Sequence, residues 1–170
     1  FRYAEVLLIR AEAGAELGKD PELDLTVNAL RKRVGFNVKL TSSPATDPKL
    51  VAKHPIIKGT NADLIREIRR ERRVELFGEG LRYADLMRWG CGERLVAPKA
   101  GMMLYTDVYT PEEIAVLKTE VGTYADGSLD VYGKRVTTPA IFESPKHYLF
   151  SLPLNEMALN PKLKPNNPGW

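Results

Sequence analysis

The sequence predicts a mainly α-helical fold: two helical hairpins, long irregular loops, and one small β-hairpin. Three observations carry that expectation. Residues 63 to 89, DLIREIRRERRVELFGEGLRYADLMRW, keep apolar residues at helical spacing despite a very high charge density. Residues 2 to 36 show the same helix–loop–helix pattern with more alanine. Residues 37 to 60 and 98 to 146 are broken by Pro, Gly, Asp and Thr and lose the period, as connecting segments do.

The first helix is expected over residues 2 to 18, RYAEVLLIRAEAGAELG. With each residue turned about 100° from the last, Tyr3, Val6, Leu7, Gly14 and Leu17 share one side, on which Arg10 intrudes. Ala4, Ala11 and Ala15 form a neighbouring smooth stripe where a second helix can approach closely. Glu5, Glu12 and Glu16 turn the other way and are expected in water. Gly18 suits the position just past a helix end. Asp24 is placed to cap a second helix in LTVNALRKRVG, with Val27, Leu30 and Val34 inward. Residues 1 to 36 thus read as an αα-hairpin.

Residues 37 to 60 follow as a long loop with three prolines, a length more typical of functional or partner-facing loops. Residues 61 to 97 read as a second helical hairpin, capped by Thr60 or Asn61. In its first helix Leu64, Ile65 and Ile68 define one face, and Arg72, Glu75 and Glu79 fall on that same face while Arg66, Arg70 and Arg73 point away. Unpaired charge is very costly beneath a helix, so a fixed Arg72–Glu75–Glu79 ion network is expected there. Gly78-Glu79-Gly80 breaks the helix, and Leu81, Leu86, Met87 and Trp89 begin its partner.

Residues 98 to 146 are expected to be irregular. Within them Thr110-Pro111-Glu112-Glu113 starts a short helix through Leu117, and LDVYGKRVTT reads as a hairpin turning at Tyr132-Gly133. Residues 147 to 170 are expected to begin as a short strand, pass a helical turn near Asn155 to Leu159, and end extended and Pro-rich. Paired helices with small-residue stripes fit a tetratricopeptide-type array, although the full repeat signature is absent.

At 170 residues the chain is long enough for one domain with a real core. Its 25 basic and 22 acidic residues leave a net charge of +3 and alternate along the chain, which speaks for salt-bridged faces and against nucleic acid. The single cysteine, Cys91, excludes an internal disulfide and a cysteine-based zinc site. No apolar run is long enough to span a membrane. The chain opens on Phe1 inside a helical pattern, so it reads as the C-terminal part of something longer.

RRERRVELFGEGLRYADLMRWG resembles the signature of the SusD/RagB family of nutrient-binding lipoproteins of Bacteroidetes-type bacteria. RYAEVLLIRAEA resembles the tetratricopeptide-like helix that precedes the signature, and YLFSLPLNEMALNPKLKPNNPGW resembles the family's ending. The three blocks stand in the family's order across essentially the whole chain. Ala84 departs from the pattern, which more often has an aromatic residue there. The resemblance implies helices that scaffold irregular loops, in a protein that binds and does not catalyse. It implies a place on the outer membrane, facing outside, held by an N-terminal lipid anchor that this chain does not contain. It implies a SusC-type TonB-dependent transporter as partner, oligosaccharide or peptide as ligand, and no cofactor. In the family most sugar contacts come from upstream of this segment, so no motif-matched binding residue carries over.

The residues themselves offer few sites. Glu71, Glu75 and Glu79 have the i, i+4 spacing of paired carboxylates for glycoside hydrolysis, but Arg72 beside them would lower their pKa values, the wrong direction for a general acid. His54 and His147 stand alone, without metal-ligand spacing. Trp89 reads as core and Trp170 as a docking anchor. The tyrosine-bearing loop is where a binding site is expected: Tyr105, Tyr109 and Tyr124 can stack on the C–H faces of sugars, while Asp107 and Asp126 take hydroxyls. Two functions compete, a surface glycan-binding protein working with a transporter and a helical-repeat scaffold that docks only protein. No nucleophilic triad or phosphate-binding glycine loop supports an enzyme.

Overall fold

The computed structural model describes residues 2–96, 101–124, 127–131 and 140–170, which divide into two compact units, Phe1–Cys91 and Gly92–Trp170. Among the described residues the only regular elements are helices, so the fold is mainly α.

The first unit holds α1 (Tyr3–Glu16), α2 (Val27–Arg33), α3 (Pro48–Lys53), α4 (Ala62–Glu75) and α5 (Arg82–Arg88). Its core forms where α1 lies against α4: Ala4, Leu7, Leu8, Ala11 and Ala15 pack with Leu64, Ile65 and Ile68. The alanine stripe is therefore the buried side of α1, and Tyr3, Val6 and Leu17, expected inward, are exposed. Small side chains bring the two backbones close, and the next residues round the helix then meet α4 as well. Those residues include Glu12, which is 4% exposed rather than solvated.

Helix ends are closed by local hydrogen bonds. Gly18, in the left-handed region at φ +65°, lets its N–H reach Ala15 O at 3.3 Å and the Lys19 N–H reach Gly14 O at 2.9 Å. Asn61 stands before α4 but does not cap it with its side chain. Its Nδ2 donates instead to Ala15 O on α1 at 2.9 Å, tying the two helices at one end. Asp24 likewise does not cap α2, which begins after Thr26; it accepts from Asn28 at 3.1 Å and Lys39 at 2.9 Å. The segment read as a loop contains α3, started by Pro48 and by Asp47 accepting from the Lys49 and Leu50 N–H groups. Six residues are too few to show a helical period, and Leu50 alone is buried.

The second unit begins with a 3-10 turn at Gly92–Leu95 and holds α6 (Pro111–Val121) and α7 (Leu154–Leu159). Thr110 accepts from the Glu113 N–H at 3.3 Å while the Glu113 carboxylate accepts from the Thr110 N–H at 2.8 Å. That reciprocal cap starts α6, which runs past Leu117 to Val121. The expected hairpin turn at Tyr132-Gly133 lies outside the described residues. Leu129, in the same stretch, makes isolated antiparallel bridges to Met102 and Thr123.

No strand forms at the start of the tail. Asparagine side chains take the place of a strand partner: Asn166 accepts from Leu152 N at 2.8 Å, and Asn167 Nδ2 donates to Phe150 O at 2.6 Å. The end is a 3-10 turn at Pro161–Leu163 followed by Trp170, whose Nε1 donates to Leu149 O at 2.9 Å.

One glycine in the core tests this packing. A Cβ at Gly14 would lie 2.8 Å from Pro21 Cα, a backbone atom that cannot swing aside. Gly14→Ala is expected to lose about 1–3 kcal/mol, despite alanine's better helix propensity, in urea denaturation followed by tryptophan fluorescence. Unchanged or raised stability would show that the α1–α2 turn does not press on α1.

Candidate functional site

The charged interior of the first unit is organised on Glu12 of α1. Its Oε1 accepts from Arg69 Nε at 3.1 Å, Arg88 Nη1 at 3.1 Å and Trp89 Nε1 at 2.6 Å, and its Oε2 accepts from Arg88 Nη2 at 2.7 Å. Trp89 is buried under these groups, with the Arg69 and Arg88 guanidinium carbons 4.7 and 4.8 Å from its ring centre. Trp89 is thus a core residue. Arg88 also donates to Asp85 at 3.0 Å, and Asp85 receives Arg72 Nε at 2.8 Å. Glu16 accepts from Arg69 at 2.9 Å and Glu5 lies 3.7 Å from Arg72, so the acidic side of α1 meets the arginines of α4.

Arg72, Glu75 and Glu79 do not share one cluster. Arg72 joins Asp85 and Glu5, whereas Glu75 and Glu79 meet at Arg2, whose Nη1 is 2.7 Å from Glu75 and whose Nε is 2.8 Å from Glu79. Glu75 also receives Arg33 at 2.7 Å. Hydrogen bonding by Arg2 holds the Glu79 carboxyl below the usual glutamate range. Glu71, the remaining carboxylate of the i, i+4 series, accepts from Arg31 Nε at 3.2 Å. Arg66, expected to point away, is buried, donating to Asp63 Oδ1 at 2.7 Å and to Ile57 O.

His54 is buried, edge-on to Trp89 at 5.6 Å between ring centres, with Cys91 Sγ 3.7 Å from its Nδ1. His147 Nδ1 accepts from the Glu143 N–H at 2.9 Å. Among the described residues no three His, Cys, Asp or Glu side chains gather as metal ligands, and no helix is long and apolar enough to cross a membrane.

The tyrosine segment lies in the second unit. Tyr105 is 61% exposed and Asp107 is exposed beside it. Tyr109 is half-buried; its N–H donates to Tyr105 O at 3.0 Å and its hydroxyl lies 3.9 Å from Met102 Sδ. Met102 O accepts from Leu129 N at 2.9 Å, and Leu129 bridges to Thr123 beside half-buried Tyr124. The Tyr105–Tyr109 turn and the Tyr124 turn are therefore fastened to one backbone junction. Asp126 lies outside the described residues.

Sequence reasoning missed Glu12 because periodicity shows which residues share a face but not which face is covered. A usable signal was present: Arg69 and Arg72 stand three apart on α4 and complement Glu5, Glu12 and Glu16 on α1.

These features define a mainly helical protein with a charged helix–helix interior and a loop-rich second unit. The chain belongs to the SusD family, whose model matches residues 1–170. It is also similar to SusD-like protein P38 of Formosa agariphila, at 35% identity over 102 residues. That match covers 60% of this chain and 19% of the relative, so the chain spans a small part of that relative's length. No solved structure matches it significantly.

One buried carboxylate of α4 is disfavoured in its charged form by burial. Glu67 of α4 is buried near Arg70, Glu71, Arg31 and Asp47, and burial pushes its carboxyl above the usual glutamate range. In the pH window between the ordinary glutamate pKa and this raised one, the folded state holds more protons than the unfolded state, so stability falls as pH rises through it. Glu67→Gln is expected to raise Tm at neutral pH and to change it little near pH ~3, below the ordinary glutamate pKa, where the carboxyl is largely protonated in both states. A variant less stable at neutral pH would mean that the pairing with Arg70 outweighs burial.

Proposed function

We propose that this chain is part of a cell-surface nutrient-binding protein that works without catalysis and delivers an oligosaccharide to a TonB-dependent outer-membrane transporter. The observation that carries this reading is membership of the SusD family across the whole chain. The site geometry supports the non-catalytic part: Glu12, Glu71, Glu75, Glu79 and Asp85 each accept from arginine and so serve as partners in ion pairs between side chains of the fold. In this reading Arg72, Glu75 and Glu79 hold helices together and contact no ligand.

Glycan contact falls to the tyrosine segment. The exposed ring of Tyr105 offers a stacking face and Asp107 a hydroxyl acceptor, with Tyr109, Tyr124 and Asp126 as the further candidates. The Met102–Leu129 junction supports such a role by fixing the two turns to each other, which limits the entropy a ligand must remove. A lipid anchor upstream would hold the protein on the outer face of the membrane, consistent with the absence of a membrane-crossing helix among the described residues.

Calorimetric titration of the full-length protein against a panel of oligosaccharides and peptides tests both levels. Saturable binding of one glycan class is expected, with Tyr105→Ala and Tyr109→Ala together weakening it by about 1–3 kcal/mol, the usual cost of lost aromatic contact. Binding untouched by the pair would move the ligand site elsewhere in the protein. Peptide binding alone would replace the glycan reading.

A further inference from the structure

The segment after α2 has the pattern of a strand without a sheet. Val34, Phe36, Val38 and Leu40 alternate with Gly35, Asn37 and Lys39, yet residues 36–41 belong to no helix or strand. One edge of this segment is satisfied by side chains of α2. Val38 O accepts from Arg31 Nη1 at 2.9 Å, while Asn28 accepts from Leu40 N at 2.8 Å and donates to Leu40 O at 3.1 Å. Asn28 thereby does for Leu40 what a neighbouring strand would do.

Backbone groups of alternate residues project to opposite edges of an extended chain, so those of Asn37 and Lys39 face away from α2. Both residues are exposed, and neither their N–H nor their C=O groups bond to any described residue. Phe36 is 51% and Val38 64% exposed, so the edge is also flanked by uncovered apolar surface. Phe36 forms a ridge between two clefts of about 590 and 640 Å³, one reaching Lys39 and the other reaching Val74 of α4. Six cations line these clefts; Arg2, Arg31, Arg33, Lys39 and Arg70 are paired with carboxylates of the fold, whereas Lys32 forms no ion pair with a described residue and leaves the clefts a net positive charge.

We propose that residues 36–40 are a docking edge for an extended acidic peptide segment of a partner protein. The partner chain pairs with the outward backbone of Asn37 and Lys39, seats an apolar side chain in the cleft between Phe36 and Val74, and sets a carboxylate against Lys32. Main-chain pairing supplies affinity in this mode and the alternate-residue clefts supply specificity. An unpaired edge of this kind is a template for strand addition. The charge balance favours an acidic occupant and disfavours a basic one.

A random twelve-residue peptide display library, panned on the full-length protein, is the probe. The enriched peptides are expected to alternate apolar and acidic residues and to slow amide hydrogen exchange at Asn37 and Lys39. Lys39→Pro removes an N–H that has no acceptor in the fold, together with an exposed ion pair to Asp24 of little stabilising effect, so the variant should melt close to the parent yet bind these peptides about tenfold or more weakly. A Lys32→Glu variant should weaken them and reduce the salt dependence of binding. No enrichment, enrichment of basic peptides, or binding that leaves both amides unprotected would overturn the proposal. Full protection of the two amides in the peptide-free protein would also overturn it, by showing that its own chain covers the edge.

Discussion

Everything in the first unit depends on the way the acidic side of α1 meets the arginines of α4. Glu12 is the centre of that contact, accepting from Arg69, Arg88 and the Trp89 indole where solvent does not reach. Charges buried in this way lose hydration worth several kcal/mol each, and mutual attraction recovers it only when the hydrogen-bond geometry is good. Here the recovery is incomplete, since Arg69 Nη1 and Arg72 Nη1 are buried without a hydrogen-bond acceptor. The network is better understood as fixing the alignment of α1, α4 and α5 than as adding net stability. An aliphatic interface of alanine, leucine and isoleucine would tolerate sliding; a carboxylate with four donors does not.

The second unit achieves order by other means. Among its described residues few apolar side chains are buried, Leu129 and Met157 being two, and local hydrogen bonds order the chain. The reciprocal Thr110–Glu113 cap starts α6, and the Asn166 and Asn167 side chains hold the stretch leading into α7. Such bonds organise loops without a large core. That arrangement suits the ligand-contacting role proposed for the exposed Tyr105, because turns can shape a surface without a large core.

Much of this was legible in the sequence, and the failures have physical causes. The apolar triplet Leu64, Ile65 and Ile68, the break at Gly78-Glu79-Gly80 and the Thr110 cap each follow from local rules, and the structure has them where expected. The orientation of α1 was not legible in the same way. Tyr3, Val6 and Leu17 outweigh three alanines in hydrophobicity, but closeness of approach, which a single helix does not encode, decided which stripe was covered. Glu12 was assigned to water for the same reason. The tail looked like a strand because Leu149, Phe150 and Leu152 have strand character; its partners turned out to be side chains, which no pairing rule for backbones anticipates. Of the proposed ligand site, the sequence named residue types, and the structure adds where Tyr105, Asp107, Tyr109 and Tyr124 stand.

The most direct test of the central contact is a double-mutant cycle on Glu12 and Arg69. Glu12→Ala, Arg69→Ala and the double variant would be compared with the parent by urea denaturation, with labelling of buried Cys91 as a second readout of local opening. A buried charged pair inside one network should show a coupling of about 1–3 kcal/mol, with the double variant costing clearly less than the sum of the single ones. Cys91 should label faster in Glu12→Ala than in the parent. Additive losses and unchanged labelling would contradict the account, and would place the alignment of α1 and α4 in their apolar contacts alone.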